Sequence, residues 1–392
     1  MPLAVDDLRA DTPGVAHVFH LNNAGAALQP RPVLDAVRRH LDLEAQIGGY
    51  EAAEQAAPAT AAVYESIARL IAARPHEIAI VDHATRAWDS VVHAFPFRAG
   101  DRVLTARAEY ASNAIALLQL RRRHEIEIVL IDDDEHGQID LDQLDAELAR
   151  GAAMGSLTHV PTNGGLVNPA AQVGERCRAH GTFFMLDACQ SAGQLPLDVE
   201  ELGCDALSAT GRKYLRGPRG TGLLHVREPW IGRLEPPMLD LHSATWTAAD
   251  RYEARDDARR FEAWECSHAL RLGLGAAAEY AATVGPADAW DRLRDLAARL
   301  REQLAALPGV EVHDKGRVRG GIVTFTVAGQ PAATVHAELR GAGINTSVTT
   351  PDHSQLDGRG LPPTVRASVH YYNTDDEVAR LVDVVSSLVP AG

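Results

Sequence analysis

The sequence predicts an α/β fold built on a mostly parallel seven-stranded sheet, followed by a smaller α+β unit. Three observations carry this. First, short apolar runs at 77–81, 102–105, 126–131, 156–160, 182–186, 206–209 and 222–226 read as buried strands. Second, helical patterns separate many of them: 32–45, with Val33, Leu34, Val37 and Leu41 on one face, then 141–148 and 173–180. Strands alternating with helices give a sheet covered on both faces. Third, the character changes after Trp230. A polar stretch around Pro236-Pro237 and on to Arg260 predicts surface loops, and helical patterns follow at 266–282 and 286–307. Strands are then expected at 321–327 and 365–369, and a final helix at 375–388 with Thr374 as its N-cap.

Composition narrows the function. The chain has 392 residues, enough for two or three domains at about 150 residues each. It is 46% hydrophobic and 23% charged, as folded proteins usually are. Acids outnumber bases 53 to 38, for a formal charge of −15, which repels phosphate backbones; no nucleic-acid partner is expected. A local basic pocket for one small anion stays compatible with that balance. No apolar run approaches the roughly 20 residues that span a bilayer, so no membrane partner is expected. Met1 to Asp7 lacks a basic segment followed by an apolar one, and Cys177, Cys189, Cys204 and Cys266 form no CxxC pair or metal-finger spacing. Free thiols, a cytoplasmic location and no metal site are therefore expected.

Of the 38 basic residues only Lys213 and Lys315 are lysines. On a surface either cation serves, but arginine stays protonated and cannot condense with an aldehyde, whereas a desolvated lysine can. Lys315 lies in the polar turn Asp314-Lys315-Gly316-Arg317 and is the control. Lys213 lies in Ala209-Thr210-Gly211-Arg212-Lys213-Tyr214, just past one strand and ahead of the glycine-rich turn 216–222. One strand earlier, Leu186-Asp187-Ala188-Cys189-Gln190 ends a buried run with a carboxylate. Ligands of open α/β sheets bind beyond the carboxyl ends of strands, which is where both residues fall.

This pair of segments resembles the class V aminotransferase family, the fold-type-I pyridoxal-phosphate (PLP) enzymes related to cysteine desulfurases. The resemblance extends to Leu21-Asn22-Asn23-Ala24-Gly25-Ala26 near the start and to Val365-Arg366-Ala367-Ser368-Val369 near the end. It implies an N-terminal segment 1–20 packing on the small domain, a large cofactor-binding domain 21–260 and a small domain 261–392. It also implies a homodimer with active sites at the interface. Under it, Lys213 holds the cofactor aldehyde and then moves the α-proton of the substrate. Asp187 pairs with the pyridine nitrogen, Gln190 and Thr162 stand near the ring hydroxyl, and Tyr110 stacks on the ring. Ala84, Thr85 and Arg86, opening a helix, would meet the phosphate together with Thr210 and Arg212. Arg86 reads equally well as a solvated cation on a helix face, and Tyr110 as an ordinary half-buried tyrosine. Arg366 is the candidate for the substrate carboxylate, because guanidinium forks match carboxylates and an arginine in an apolar strand is otherwise costly. Asn23, Gly25, Tyr50 and Trp88 complete the expected substrate contacts.

Two departures from the desulfurase pattern shape the expected reaction. Desulfurases of the family pass sulfur to a cysteine on a loop in the last quarter of the chain. Here that stretch, Ile344 to Ser354, has no cysteine, and none follows Cys266. Where many relatives carry a Gly-Thr pair that reaches the partner's phosphate, this chain has Trp264-Glu265, and an ionised Glu265 would repel a phosphate. Trp264 offers a flat face to a roomier pocket instead. The segment Gly48-Gly49-Tyr50, with the Lys213 and glycine-rich segments, resembles the C–S lyase of ergothioneine synthesis. The expected function is therefore PLP-dependent β-elimination from a sulfur-substituted cysteine. An aminotransferase, epimerase or oxidative decarboxylase of an amino acid shares the same carbanion chemistry and stays open, as does a catalytically silent binding protein of the same fold. Gly273-Leu274-Gly275-Ala276-Ala277-Ala278 imitates a dinucleotide fingerprint but lacks a preceding strand, so it reads as helix packing.

Overall fold

The computed structural model describes residues 3–389; the extreme ends of the two outer domain ranges, 1–2 and 390–392, lie outside them. The large sheet has seven strands in the spatial order Ile78–Val81, Gly222–Val226, Ala206–Thr210, Phe183–Asp187, Met154–Thr158, Arg102–Ala106 and Glu127–Ile131. Only Gly222–Val226 runs antiparallel to its neighbours. All the other pairings are parallel, as the run of apolar strands buried on both faces implied. Helices close both faces. On one, Ile67, Val173, Phe184, Leu207 and Leu274 share a core; on the other, Trp88, Val91, Leu117, Phe183 and Met185 do.

The helix Ala170–Ala179 meets the short helix Val199–Leu202 backbone to backbone at a glycine. A Cβ on Gly174, in the helix Ala170–Ala179, would lie 2.0 Å from the Leu202 carbonyl oxygen. Backbone cannot yield as a side-chain tip can. We expect Gly174→Ala to lower stability by about 1–3 kcal/mol, read as a lower thermal unfolding midpoint with the secondary structure of the folded state unchanged.

The second unit is a four-stranded antiparallel sheet in the order Val310–Val312, Ile322–Val327, Thr364–Ser368, Ser347–Thr349. Helices Pro286–Ala305, Ala332–Gly341 and Asp375–Leu388 cover it through Leu293, Leu300, Val335, Leu339, Leu381 and Val385. Thr374 caps the last helix in a reciprocal box with Glu377, each side chain meeting the other's backbone N–H at 3.2 Å. Arg301 is buried and bonds Asp314 and the carbonyls of Gly320 and Ile322, each at 2.7 Å. That set satisfies the guanidinium and ties helix to sheet. The chain's first residues also meet this unit: Phe19–His20 pairs in parallel with Ile344–Asn345, and Arg9 bonds Glu377 at 2.8 Å.

Two local expectations differ from what the chain forms. The helix His268–Val284, assigned by sequence to the small domain, packs on helices Arg31–Ile47 and Ala57–Leu70, and its Leu274, Ala277 and Ala278 join the large-sheet core. The polar stretch read as loops contains the hairpin Ala244–Ala248 and Arg251–Ala254, with Trp246 opposite Tyr252. Both of its faces meet solvent, so no buried alternation marks it. The motif segment 21–26 forms the short helix Asn23–Ala26, after a single bridge from Asn22 to Ser368.

Candidate active site

Sheet order builds the site. The carboxyl ends of Ile78–Val81, Ala206–Thr210, Phe183–Asp187 and Met154–Thr158 open on one edge. The antiparallel strand presents its amino end, after Arg219-Gly220-Thr221, at the same edge. Loops leaving these ends enclose a cavity of about 260 Å³. Asp82 to Thr85, Thr210, Arg212 and Arg219 line it from one side of the sheet; Tyr110, Thr158 and Thr162 line it from the other. Asp187, Cys189, Gln190 and Lys213 lie between them.

Lys213 is 7% exposed, and its Nζ stands 5.8 Å from the centre of the Tyr110 ring. Burial pulls its ammonium below the ordinary lysine value; Arg212 and Arg366 push the same way, while Asp187 opposes them. The residue therefore sheds its proton at lower pH than an exposed lysine, as attack on an aldehyde requires. Asp187 Oδ1 accepts from the Cys189 N–H at 2.9 Å, and Oδ2 from Asn113 Nδ2 at 2.9 Å.

Gln190 Nε2 donates to the Ala24 carbonyl at 3.1 Å and to Thr162 Oγ1 at 3.2 Å, leaving its own Oε1 buried with no partner. Arg366, 8% exposed, donates through Nη1 to Thr162 Oγ1 at 2.7 Å and to the Thr162 carbonyl at 2.9 Å. Its Nε is also buried without a partner. Thr162, which lines the cavity, thus couples two orphaned polar groups, Gln190 Oε1 in the lining and Arg366 Nε behind it, and native interiors seldom leave such groups unmet unless a water or a ligand meets them. On the other side Arg212 Nη1 bonds Thr210 Oγ1 at 3.0 Å, and the helix Ala84–Ala94 opens toward the cavity with His83 as its cap.

Six residues singled out from the sequence are absent from the lining of this cavity. Arg366 stands one residue behind it, reached through Thr162. Trp88 is 1% exposed and sits in the core behind the sheet, on the helix face shared with Ala87 and Val91. The same helix starts at the cavity with Ala84 and Thr85, but one turn later its inward face meets the sheet. Arg86 points away, its Nη1 3.5 Å from the Met238 sulfur, and its backbone N–H is already taken by His83 Nδ1 at 3.0 Å. Asn23 is wholly buried, donating to the carbonyls of Ser368 at 2.7 Å and His20 at 3.1 Å, so its role here is to join the N-terminal segment to the last strand. Gly25 lies against Asn22, whose Oδ1 would stand 2.7 Å from an added Cβ. Tyr50 is 82% exposed and absent from the lining. Trp264 and Glu265 are likewise exposed and absent from the lining.

The sequence reading missed His83, Asn113, Thr158, Cys189 and Arg219, all of which line the cavity. Two signals were available. Asn113 stands four residues after Glu109, and Arg219 stands in the glycine-rich turn already noted. Thr158 lies directly across from Asp187 in the strand register, which no single-strand pattern reveals.

An amine with depressed basicity facing an aromatic ring, a fixed carboxylate, a cationic flank and a buried guanidinium define a site for a PLP-dependent enzyme. The donor set and the two orphaned polar atoms fit that cofactor. Comparison with known proteins agrees: the family model "Aminotransferase class-V" matches residues 19–381, and the chain belongs to that family. The chain is an enzyme whose cofactor is pyridoxal phosphate. Among curated relatives, a probable cysteine desulfurase of Methanothermobacter thermautotrophicus is 26% identical over 400 residues, covering 100% of this chain and 99% of the relative. The apo structure of cysteine desulfurase from Thermococcus onnurineus NA1 superposes with a TM-score of 0.92 at 26% identity, covering 99% of this chain and 98% of that one. A cystine C–S lyase in complex with cysteine persulfide shares the fold, with a TM-score of 0.87 at 24% identity over 97% of this chain and all of the other. No helix among the described residues is long and apolar enough to cross a membrane.

Proposed function

We propose that this enzyme is a C–S lyase that carries out β-elimination on a sulfur-substituted cysteine, releasing pyruvate, ammonia and a thiol or sulfenate. The observation that carries the reading is the fate of the sulfur. The stretch Ile344 to Ser354 contains no cysteine, and Cys266 is the last in the chain. Among the described residues the one thiol lining the cavity is Cys189, and burial, reinforced by Asp187, pushes it well above the ordinary thiol range. A thiol held protonated is a poor sulfur acceptor. The sulfur then leaves with its substituent.

When bound, pyridoxal phosphate supplies an electron sink for charge that develops at the substrate α-carbon. The chain's residues supply the rest. Arg366 grips the substrate α-carboxylate, with Thr162 holding its fork in place. Lys213, its basicity lowered by burial, takes the α-proton and later returns a proton. Asp187 would hold the ring nitrogen's proton, Gln190 and Thr162 would meet the ring hydroxyl, and Tyr110 would pack against the ring. Ala84 and Thr85 at the helix start, with Thr210 and Arg212, receive the phosphate. The active form in this reading is a homodimer acting on a small amino acid.

The test is product analysis with S-substituted cysteines. Pyruvate and ammonia should appear in equal amounts, with one thiol or sulfenate released per turnover. Alanine with a protein-bound persulfide would overturn the reading in favour of desulfuration, and exchange of amino groups with a keto acid in favour of transamination.

A further inference from the structure

Glu109 is a carboxylate that no step above uses. It is 7% exposed, and the donors that reach it among the described residues are all uncharged. Five donors converge on it. Oε1 accepts from the Tyr110 N–H at 2.8 Å, from Asn113 Nδ2 at 3.0 Å and from the Thr158 hydroxyl; Oε2 accepts from the hydroxyls of Thr105 and Ser156, each at 2.9 Å. Those bonds satisfy the oxygens without neutralising the charge, and a buried charge without a counter-charge is costly.

Asn113 connects this group to the cavity. Its Nδ2 lies 3.0 Å from Glu109 Oε1 and 2.9 Å from Asp187 Oδ2, so one amide NH₂ is shared between two carboxylates. Which end of an asparagine amide is nitrogen follows from its partners. Both partners here only accept, so the amide cannot turn over. Asp187 is therefore fixed at both oxygens, at one by Asn113 and at the other by the Cys189 N–H.

We propose that Glu109 and Asn113 are positioning residues for Asp187. Asn113 sets the orientation of the Asp187 carboxylate; Glu109 locks Asn113 and adds a second negative charge that tightens the site's hold on a cationic heterocycle. The counter-charge that Glu109 lacks is then supplied from the cavity. The proposal rests on the reading that Asp187 faces the ring nitrogen, and it extends that reading by one shell of residues.

Glu109→Gln isolates the charge. A glutamine carbonyl still accepts from Tyr110 and Asn113, and its amide donates to Thr105 and Ser156, whose hydroxyls rotate to accept. Asn113→Leu keeps the volume and cuts the link, and stands in if the first variant does not fold. The measurement is the NMR signal of a ¹⁵N-labelled ring nitrogen in the cofactor-loaded protein, followed across pH. In either variant the ring proton should leave at a pH about one unit below wild type, a tenfold weaker hold. Asp187→Asn is run alongside. If Asp187→Asn loses the ring proton while both variants titrate as wild type does, the proposal is overturned and the reading of Asp187 stands. If Asp187→Asn also titrates as wild type does, that reading is wrong and the proposal falls with it.

Discussion

Lys213→Ala is expected to lower turnover by about a thousandfold or more, the upper range for loss of a general acid–base, and to remove the yellow absorbance of the cofactor-loaded protein. Lys213→Arg should fare no better, because a guanidinium neither condenses with an aldehyde nor gives up its proton near neutral pH. The effect should be this large because one amine has two duties, holding the cofactor and moving the α-proton. The structure equips it for both. Burial and two neighbouring guanidiniums depress its basicity, and Tyr110 stands across from it. Lys315→Ala is the matched control: that lysine is exposed, and its stem lies over Gly137, outside the main cavity. Full activity and colour in Lys315→Ala, with neither in Lys213→Ala, is the expected pair of results in steady-state kinetics and absorbance.

Arg366→Lys is expected to raise KM for the amino acid by about 10- to 150-fold, the equivalent of about 1.5–3 kcal/mol for hydrogen bonds to a charged group. A lysine has one point charge where arginine has a planar fork, and it leaves the Thr162 contacts at 2.7 and 2.9 Å unmade. The α-carboxylate carries the same charge before and during proton removal, so its contacts contribute alike to ground and transition states. The loss should therefore fall on KM, with kcat changed less. An unchanged KM with a large fall in kcat would move Arg366 from substrate binding to the chemistry itself.

The parts of this account legible in the sequence share one property: each is local. Apolar runs marked all seven strands of the large sheet, because strands buried on both faces need no partner to be recognised. The final helix declared itself through Thr374 at its N-cap. Lys213 and Asp187 stood out because each lies at or just past the carboxyl end of a strand. What stayed hidden depended on neighbours distant in sequence. Trp88 shares a helix with Thr85, and only the packing of that helix shows that one meets the cavity and the other the core. Asn113 and Thr158 reach Asp187 from separate elements, across a hydrogen bond in one case and a strand register in the other. Asn23 carried the resemblance to the family motif, yet its bonds to Ser368 and His20 give it a structural use. The hairpin 244–254 escaped because neither of its faces is buried.

The central claim is that one particular amine carries the coenzyme. Borohydride reduction of the cofactor-loaded protein, followed by proteolysis and mass mapping, tests it most directly. The account predicts a single pyridoxyl-phosphate adduct, at one per chain, on the peptide bearing Lys213. An adduct on Lys315 or on the amino terminus, or none at all in protein that retains its colour, would contradict it.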